Sequence, residues 1–316
     1  MSYTPLHLHT TFSVLDSIIK IPELVKRLKE LEISSCAITD HGNLHGAIDF
    51  YSECDESGIK PILGMEAYIT EDPDNSEEKK RDNFHLVLLA KNEIGWKNLV
   101  WLSGNAYLNN FYYRPRIYRP LLEERSEGLV ALSACLAGYP ARMLRWESSI
   151  NKIFLDRKDD YVRVLKWFQE VFHGDYYLEI QEHNAWEQRE YNHFLAYIAK
   201  GEGFPLTITS DAHYLRKQDS ATHELMMAMQ LKKTLVEYQG EDHMKYYGTN
   251  YVKSNEEMIR LARQYDAEAA VENTNLIAEK CDFKVEFGKT KLPRFPIEDA
   301  EDLEEFKEWR RARTKL

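Results

Sequence analysis

Two histidines one residue apart, His7 and His9 in His7-Leu8-His9, are the first groups in this 316-residue chain whose type and spacing suggest chemistry. On an extended strand, residues two apart project from the same face, so both imidazoles can reach one point, as metal ligands must. In a chain with eleven histidines the pattern alone is weak, because core packing also produces it. Other segments strengthen it. Asp16 follows in Ser13-Val14-Leu15-Asp16, and Thr39-Asp40-His41-Gly42 puts His41 at the end of a strand-like run, with Asp40 placed to orient its ring. Glu66 stands among Ile62, Leu63, Met65 and Ala67, where an unpaired carboxylate is costly to bury and calls for a cation or a donor. His85 opens another apolar run, Cys135 closes Leu132-Ser133-Ala134-Cys135, and Ser210-Asp211-Ala212-His213 repeats the spacing of the first pair.

Each of these has an ordinary reading when taken singly. Cys135 is a small buried apolar residue in most settings, and His85 a hydrogen-bonded core histidine. Together, His7, His9, Asp16, His41, Glu66, His85, Cys135, Asp211 and His213 offer more donors than the four that one ion takes. Two or three divalent ions sharing bridging carboxylates is the economical expectation.

The donors fall at or near seven runs with strand character: Leu6 to His9, Cys36 to Thr39, Pro61 to Ile69, Leu86 to Ala90, Leu129 to Ser133, Tyr176 to Ile180 and Leu206 to Thr209. Helical spacing lies between them, in Leu24, Val25, Leu28 and Leu31 behind Pro22, and in Tyr191, Phe194, Leu195 and Ile198 before Gly201 and Gly203. That alternation predicts an α/β fold of parallel strands covered by helices, open or closed into a barrel, with the site at the carboxyl ends of the strands. His85 stands at the front of its run and does not fit this picture. Glu71 to Asp82 is polar and turn-rich, an expected loop. Ser254 and Glu257 form a capping box that starts a helix through Met258 and Leu261, and a second helix is expected over about Glu268 to Cys281.

The composition, 43% apolar and 12% aromatic with 14 Gly and 10 Pro, supports a substantial core and excludes a disordered chain. A formal charge of −11 argues against holding nucleic acid by bulk positive charge. Three divalent ions would add six and an ionised Cys135 would remove one, taking −11 to −6. The densest cationic segment is Phe111 to Arg119, where Arg114, Arg116, Arg119 and Tyr113 suit phosphate pairing and base stacking on a single strand. The alternative is a structural loop whose arginines pair with local acids. Scattered cysteines without C-x-x-C, no apolar run long enough for a bilayer and no signal-peptide pattern at Met1 to Pro5 point to a cytoplasmic protein with no membrane partner. Seven acids between Glu298 and Glu308, followed by Arg310, Arg311, Arg313 and Lys315, read as a solvated, charge-paired helix.

The segments HLHTTFSVLD, AITDHGNLHG, GIKPILGMEAYI, FHLVLLAKNEIGWKNL, FYYRPRI, GLVALSACLAG, ITSDAHYL and VENTNLIAEKCDF followed by LPRFPI resemble the PHP (polymerase and histidinol phosphatase) metallo-phosphoesterases. Within them, LVLLAKN, YYRPRI and the stretch before LPRFP resemble the N-terminal PHP domains of bacterial DNA polymerase III alpha subunits. The resemblance spans almost the whole chain. It implies a distorted seven-stranded β/α barrel with a trinuclear site of Zn, Mn or Fe at one end. One ion would be held by His7, His9, Glu66 and Asp211, a second by Asp16, His41 and His213, and a third by Glu66, His85 and Cys135.

The same resemblance implies 3′ to 5′ exonuclease activity on single-stranded or primer-end DNA, with Asp16, His41, Glu66, Asp211 and His213 closest to the chemistry. The expected domains are a PHP barrel over 1–286 and, over 287–316, a connector to a polymerase palm that this sequence lacks. The other partner implied is the rest of an alpha subunit. Two further readings remain open: a structural module that stabilises the polymerase and docks a separate replisome exonuclease, and a small-molecule phosphomonoesterase of the histidinol phosphatase kind.

Overall fold

The computed structural model describes residues 2–71, 82–150, 152–155, 158–240, 248–289 and 304–313. The chain divides into two units, 1–284 and 285–316. Among the described residues of the first there are ten strands: β1 (Ser35–Ile38), β2 (Lys60–Thr70), β3 (Phe84–Ala90), β4 (Phe111–Tyr112), β5 (Arg114–Tyr118), β6 (Leu129–Leu132), β7 (Arg145–Glu147), β8 (Lys152–Phe154), β9 (Tyr176–Gln181) and β10 (Leu206–Thr209). The main sheet runs β10-β9-β6-β3-β2-β5-β4, with β1 also on β2.

The segment from Pro5 to His9 joins the two ends of this sheet. On one side Pro5 and Leu8 accept from the Ala37 and Thr39 amides, and on the other the His9 amide donates to Ala212 O. Counting that segment, the hydrogen-bonded ring has the seven members expected from sequence. One member differs in direction. β3 is antiparallel to both β2 and β6, so its first residues lie at the carboxyl ends of its neighbours. His85 pairs with Tyr68 in that register, and its place at the front of a strand is thereby explained.

Alternate residues along the ring strands pass from apolar to polar. Leu89 and Val87 of β3, Ile62 of β2 and Tyr177 of β9 pack in one cluster with Leu6, Ala37, Val130 and Leu132. Two to four residues further along the same faces come His85, Glu66 and Glu179, because the strand period is two. The opposite faces, including Met65, Ala67, Leu86, Leu88, Ala131 and Leu178, pack in a separate larger cluster with helical residues such as Leu99, Leu165 and Leu195. The site therefore forms where the apolar filling ends.

The covering helices follow the expected spacing. Ile21–Glu30 has Pro22 in its first turn and buries Leu24, Val25 and Leu28. Trp186–Glu202 buries Tyr191, Leu195 and Ile198 and ends at Gly203, in the left-handed region with φ 79°. Asn255–Arg263 starts at the Ser254/Glu257 capping box, and Ala269–Lys280 follows. The helices Ser220–Gln230 and Leu235–Gly240 have no counterpart in the sequence reading. The proposed Glu71 to Asp82 loop lies, apart from its two end residues, outside the described residues. In the second unit a helix spans Glu304–Arg313. Among the described residues no helix is long and apolar enough to cross a membrane.

Candidate metal centre

All nine sequence-derived donors converge at one end of the ring. His7 and His9 come from the joining segment, Asp16 from the loop after it, His41 from just beyond β1, and Glu66 from within β2. His85 comes from the start of β3, Cys135 from beyond β6, and Asp211 and His213 from beyond β10. Three of these loops carry a non-glycine residue in the left-handed region: Leu15 (φ 61°) beside Asp16, Ala134 (φ 60°) beside Cys135, and Asp211 itself (φ 45°). Backbone strain of this kind persists where the surroundings over-determine it. Gly138 has a different role, since a Cβ there would stand 2.2 Å from Ser133 O. Its absence lets the loop after Cys135 close onto His85, with which Gly138 forms a bridge.

His7 Nε2 lies 3.4 Å from Glu66 Oε1 and 3.3 Å from Asp211 Oδ1. His9 Nε2 lies 3.4 Å from Glu66 Oε2 and 3.2 Å from the same Asp211 oxygen. The two imidazole nitrogens and Asp211 Oδ1 are buried and have no hydrogen-bond partner. Bonds of about 2.0–2.1 Å to a tetrahedral ion place ligand atoms about 3.4 Å apart, so these orphaned atoms have the spacing of ligands facing an ion. Around them, His41 Nδ1 is 2.8 Å from Glu66 Oε2 and His41 Nε2 2.7 Å from Asp16 Oδ2. His85 Nδ1 is 2.8 Å from Glu66 Oε1, Cys135 Sγ 3.6 Å from His85 Nδ1, and His213 Nε2 3.9 Å from Asp16 Oδ2. Glu66 thus touches four histidines, as a bridging carboxylate would. Donor atoms cluster in three groups: His7, His9 and Asp211; His41, Glu66 and His85; and His9, His41 and His213. The residues present fit a group of divalent ions.

The ring orientations are set by surrounding hydrogen bonds. His7 Nδ1 donates to Glu179 Oε1 at 2.7 Å. His9 Nδ1 donates to Ser13 Oγ, whose own proton goes to Asp40 Oδ1, and His213 Nδ1 donates to Asp211 O. In each case Nε2 is left with its lone pair toward the cluster, as metal-ligating histidines require. Asp40 does not orient His41, contrary to the sequence reading. Its carboxylate accepts from Thr10 N, Thr10 Oγ1 and Ser13 Oγ, because the 10–13 loop folds across it. It therefore acts on His9 through Ser13.

Charge balances inside the cluster. Burial alone would push His7 and His41 down, but nearby carboxylates overcome it and hold both well above the usual imidazole range: Asp211, Glu179 and Glu66 at His7, and Glu66 foremost at His41. Burial alone would raise Glu66 and Asp211, yet surrounding histidines hold both well below the carboxylate range. His9 is pushed down to about 3 by burial and by His41 and His213. Burial, with Glu66 and Asp211 next, raises the Cys135 thiol well above its usual value.

Three contributors escaped the sequence reading. Glu179 is fully buried in β9 and also accepts from Ala134 N, Gln181 Nε2 and Thr209 Oγ1. The signal was present in Tyr176-Tyr177-Leu178-Glu179-Ile180, an acid in an apolar strand like Glu66. Glu179→Gln should weaken metal binding by about 10–100-fold, the usual effect of losing an orienting partner, as read by competition with a chromogenic chelator. His183, beyond β9, lines the cleft, donates from Nε2 to Gln181 Oε1 and is pushed down to about 4 by burial. His223 donates from Nε2 to Asp16 O at 2.7 Å and steadies that loop.

The four proposed DNA-contacting residues separate. Arg114 and Tyr113 are exposed, and Arg114 lines the cleft with its guanidinium 5.5 Å from the Tyr68 ring centre. Arg116 is only 6% exposed because it pairs opposite Tyr68 where β5 joins β2. Arg119 donates from Nη1 to both carboxylate oxygens of Glu71, at 2.8 and 3.0 Å, and lies over Trp167. The segment is a strand pair rather than a loop, and it leaves Arg116 and Arg119 in structural positions.

Residues 5–183 match the PHP domain family, and the chain belongs to it. Its curated relatives include proteins named DNA polymerase III subunit alpha. That of Helicobacter pylori J99 is 40% identical over 291 residues, covering 92% of this chain and 24% of its own length. That of Borreliella burgdorferi is 40% identical over 299 residues, covering 92% and 25%, and that of Aquifex aeolicus 39% identical over 325 residues, covering 96% and 26%. The chain spans about a quarter of the length of these relatives.

Proposed function

We propose that this chain is the metal-dependent phosphodiesterase part of a replicative polymerase alpha subunit, removing nucleotides from a DNA 3′ end. The observation that carries this reading is the set of unpartnered, buried ligand atoms of His7, His9 and Asp211, ringed by the six other donors. When bound, divalent ions supply a water acidic enough to attack phosphorus at neutral pH and neutralise charge on the phosphoryl oxygens. Asp16, His41, Glu66, Asp211 and His213 would hold the ions there, with His85 and Cys135 on one flank; a thiolate favours zinc, whereas the oxygen and imidazole donors would also take manganese or iron. In the reaction, water oxygen bonds to phosphorus as the P–O3′ bond breaks. The shortened strand leaves with a 3′-hydroxyl, and the terminal nucleotide leaves as its 5′-phosphate.

The exposure of Arg114 at the cleft supports a contact with the phosphate backbone. Arg114→Ala should raise KM for a single-stranded oligonucleotide by about tenfold, the value of one charge-assisted contact, and change a small phosphodiester far less. Equal loss on both would show that Arg114 is structural.

Elemental analysis and a 3′-end digestion assay test the function together. The expected result is two to three bound ions per chain and mononucleotide release from the 3′ end that stops on chelation and returns with manganese or zinc. A folded, metal-loaded protein that releases nothing would overturn the nuclease reading in favour of the structural module.

A further inference from the structure

The cleft over the metal ligands encloses about 400 Å³, at the small end of ligand cavities. Its lining mixes two chemistries: the donor cluster, and the apolar side chains of Leu136, Met227, Leu231 and Tyr238, of which Leu136 packs against the barrel core while Tyr238 and Met227 are largely buried. Met227 and Tyr238 come from the two short helices after β10, where they pack with Ala228 and Leu235 in a cluster separate from the barrel core. These helices thus place a small apolar surface of their own beside the ligands.

The apolar lining selects among phosphate esters. The acids lining the cleft are Asp16, Glu66 and Asp211, and each faces histidines. Asp16 comes nearest the apolar side, beside Tyr238, and its carboxylate is already engaged by His41 at 2.7 Å. An ester whose alcohol bears an ammonium group would desolvate that charge against Met227 and Leu231 without a partner, which is costly. A nucleobase has a flat π-face that packs well on methionine, leucine and tyrosine side chains. Such packing makes no demand on the base's hydrogen-bonding edge, so all four bases are accepted.

Building on the phosphodiesterase reading, we propose that Leu136, Met227, Leu231 and Tyr238 seat the base of the terminal nucleotide while its phosphate meets the metal ligands. The substrate class is then a nucleoside phosphodiester with a base splayed out of its stack. An end that is already unpaired enters more readily, because unstacking is least costly there.

The test uses two diesters with the same p-nitrophenolate leaving group, thymidine 5′-(p-nitrophenyl phosphate) and methyl p-nitrophenyl phosphate. Leu231 is 42% exposed, so Leu231→Asp and Leu231→Ala should fold, and circular dichroism checks this. The ratio of kcat/KM for the thymidine ester over the methyl ester should fall about tenfold in Leu231→Ala, the scale of losing a few buried methylene contacts, and further in Leu231→Asp. Calorimetry on zinc-loaded protein should show thymidine 5′-monophosphate binding more tightly than inorganic phosphate and histidinol phosphate, with Leu231→Asp closing the gap to phosphate. Equal binding of the three, or a ratio unmoved by both substitutions, would overturn the base seat. If neither diester is hydrolysed but the binding preference holds and depends on Leu231, the nuclease reading fails and the base seat stands.

Discussion

Asp211→Asn should lower phosphodiester hydrolysis by at least about 10²–10³-fold, the range seen when one charge-stabilising group is lost from a site, with the fold intact. Asp211 Oδ1 faces both His7 Nε2 and His9 Nε2 at 3.3 and 3.2 Å and has no hydrogen-bond partner. Its charge is held by His7, His213 and His9 against the effect of burial. Asparagine keeps the shape and tolerates the left-handed φ of 45°, so neither packing nor backbone should suffer. What it loses is the anionic ligand shared by the first two histidines. Metal content should fall by about one equivalent while the circular dichroism spectrum and the melting temperature of the metal-free protein change little. Full activity in a variant shown to have lost that ion would remove Asp211 from the site. His9→Ala should act in the same direction, since His9 falls in two of the three donor groups.

The second large effect is on stability. At free metal about 1,000-fold above Kd, one site stabilises the folded state by about 4 kcal/mol, and at about 2–4 °C per kcal/mol this raises Tm by roughly 10 °C. The gain should depend on pH with a definite sign. His7 and His41 have raised values in the metal-free protein, above the unfolded value of about 6.5. Their contribution to stability is therefore full below about pH 6.5 and is lost as pH rises through the raised values. A bound ion must displace those same protons, so its apparent affinity rises over the same interval. Above about pH 6.5 the two melting curves should separate, the metal-free Tm falling and the metal-loaded Tm rising or holding. Glu66 and Asp211 are ionised across this window and add no slope. Parallel curves measured by differential scanning calorimetry would show that the ions do not bind at His7 and His41.

Much of this centre is legible in single segments. His7-Leu8-His9 and Asp211-Ala212-His213 announce ligands because a strand period of two projects alternate residues together. Glu66 announces itself because an acid in an apolar strand requires a partner. Glu179 carries the same signal, but its partner is a histidine ring, and nothing local distinguishes an acid that faces the cluster from one that supports it. Asp40 shows the converse: adjacency to His41 suggested a contact that the folded 10–13 loop redirects to Ser13 and so to His9. The arginines of the Phe111 to Arg119 segment look equivalent in sequence, and only the pairing of β5 with β2 buries Arg116 while leaving Arg114 at the cleft.

Hydrophobic periodicity and residue spacing are local properties of the chain, so seven strand segments, several covering helices and nine candidate donors are legible without the fold. Three matters needed the tertiary structure. The antiparallel direction of β3 brings His85 to the other strand ends, and strand direction is a matter of long-range pairing. The hydrogen bonds to Glu179, Ser13 and the Asp211 carbonyl turn the imidazoles of His7, His9 and His213 toward one centre, and they join residues up to 172 positions apart. Met227, Leu231 and Tyr238 reach the cleft only because two short helices pack beside it, and packing across a cleft leaves no periodic trace in the sequence.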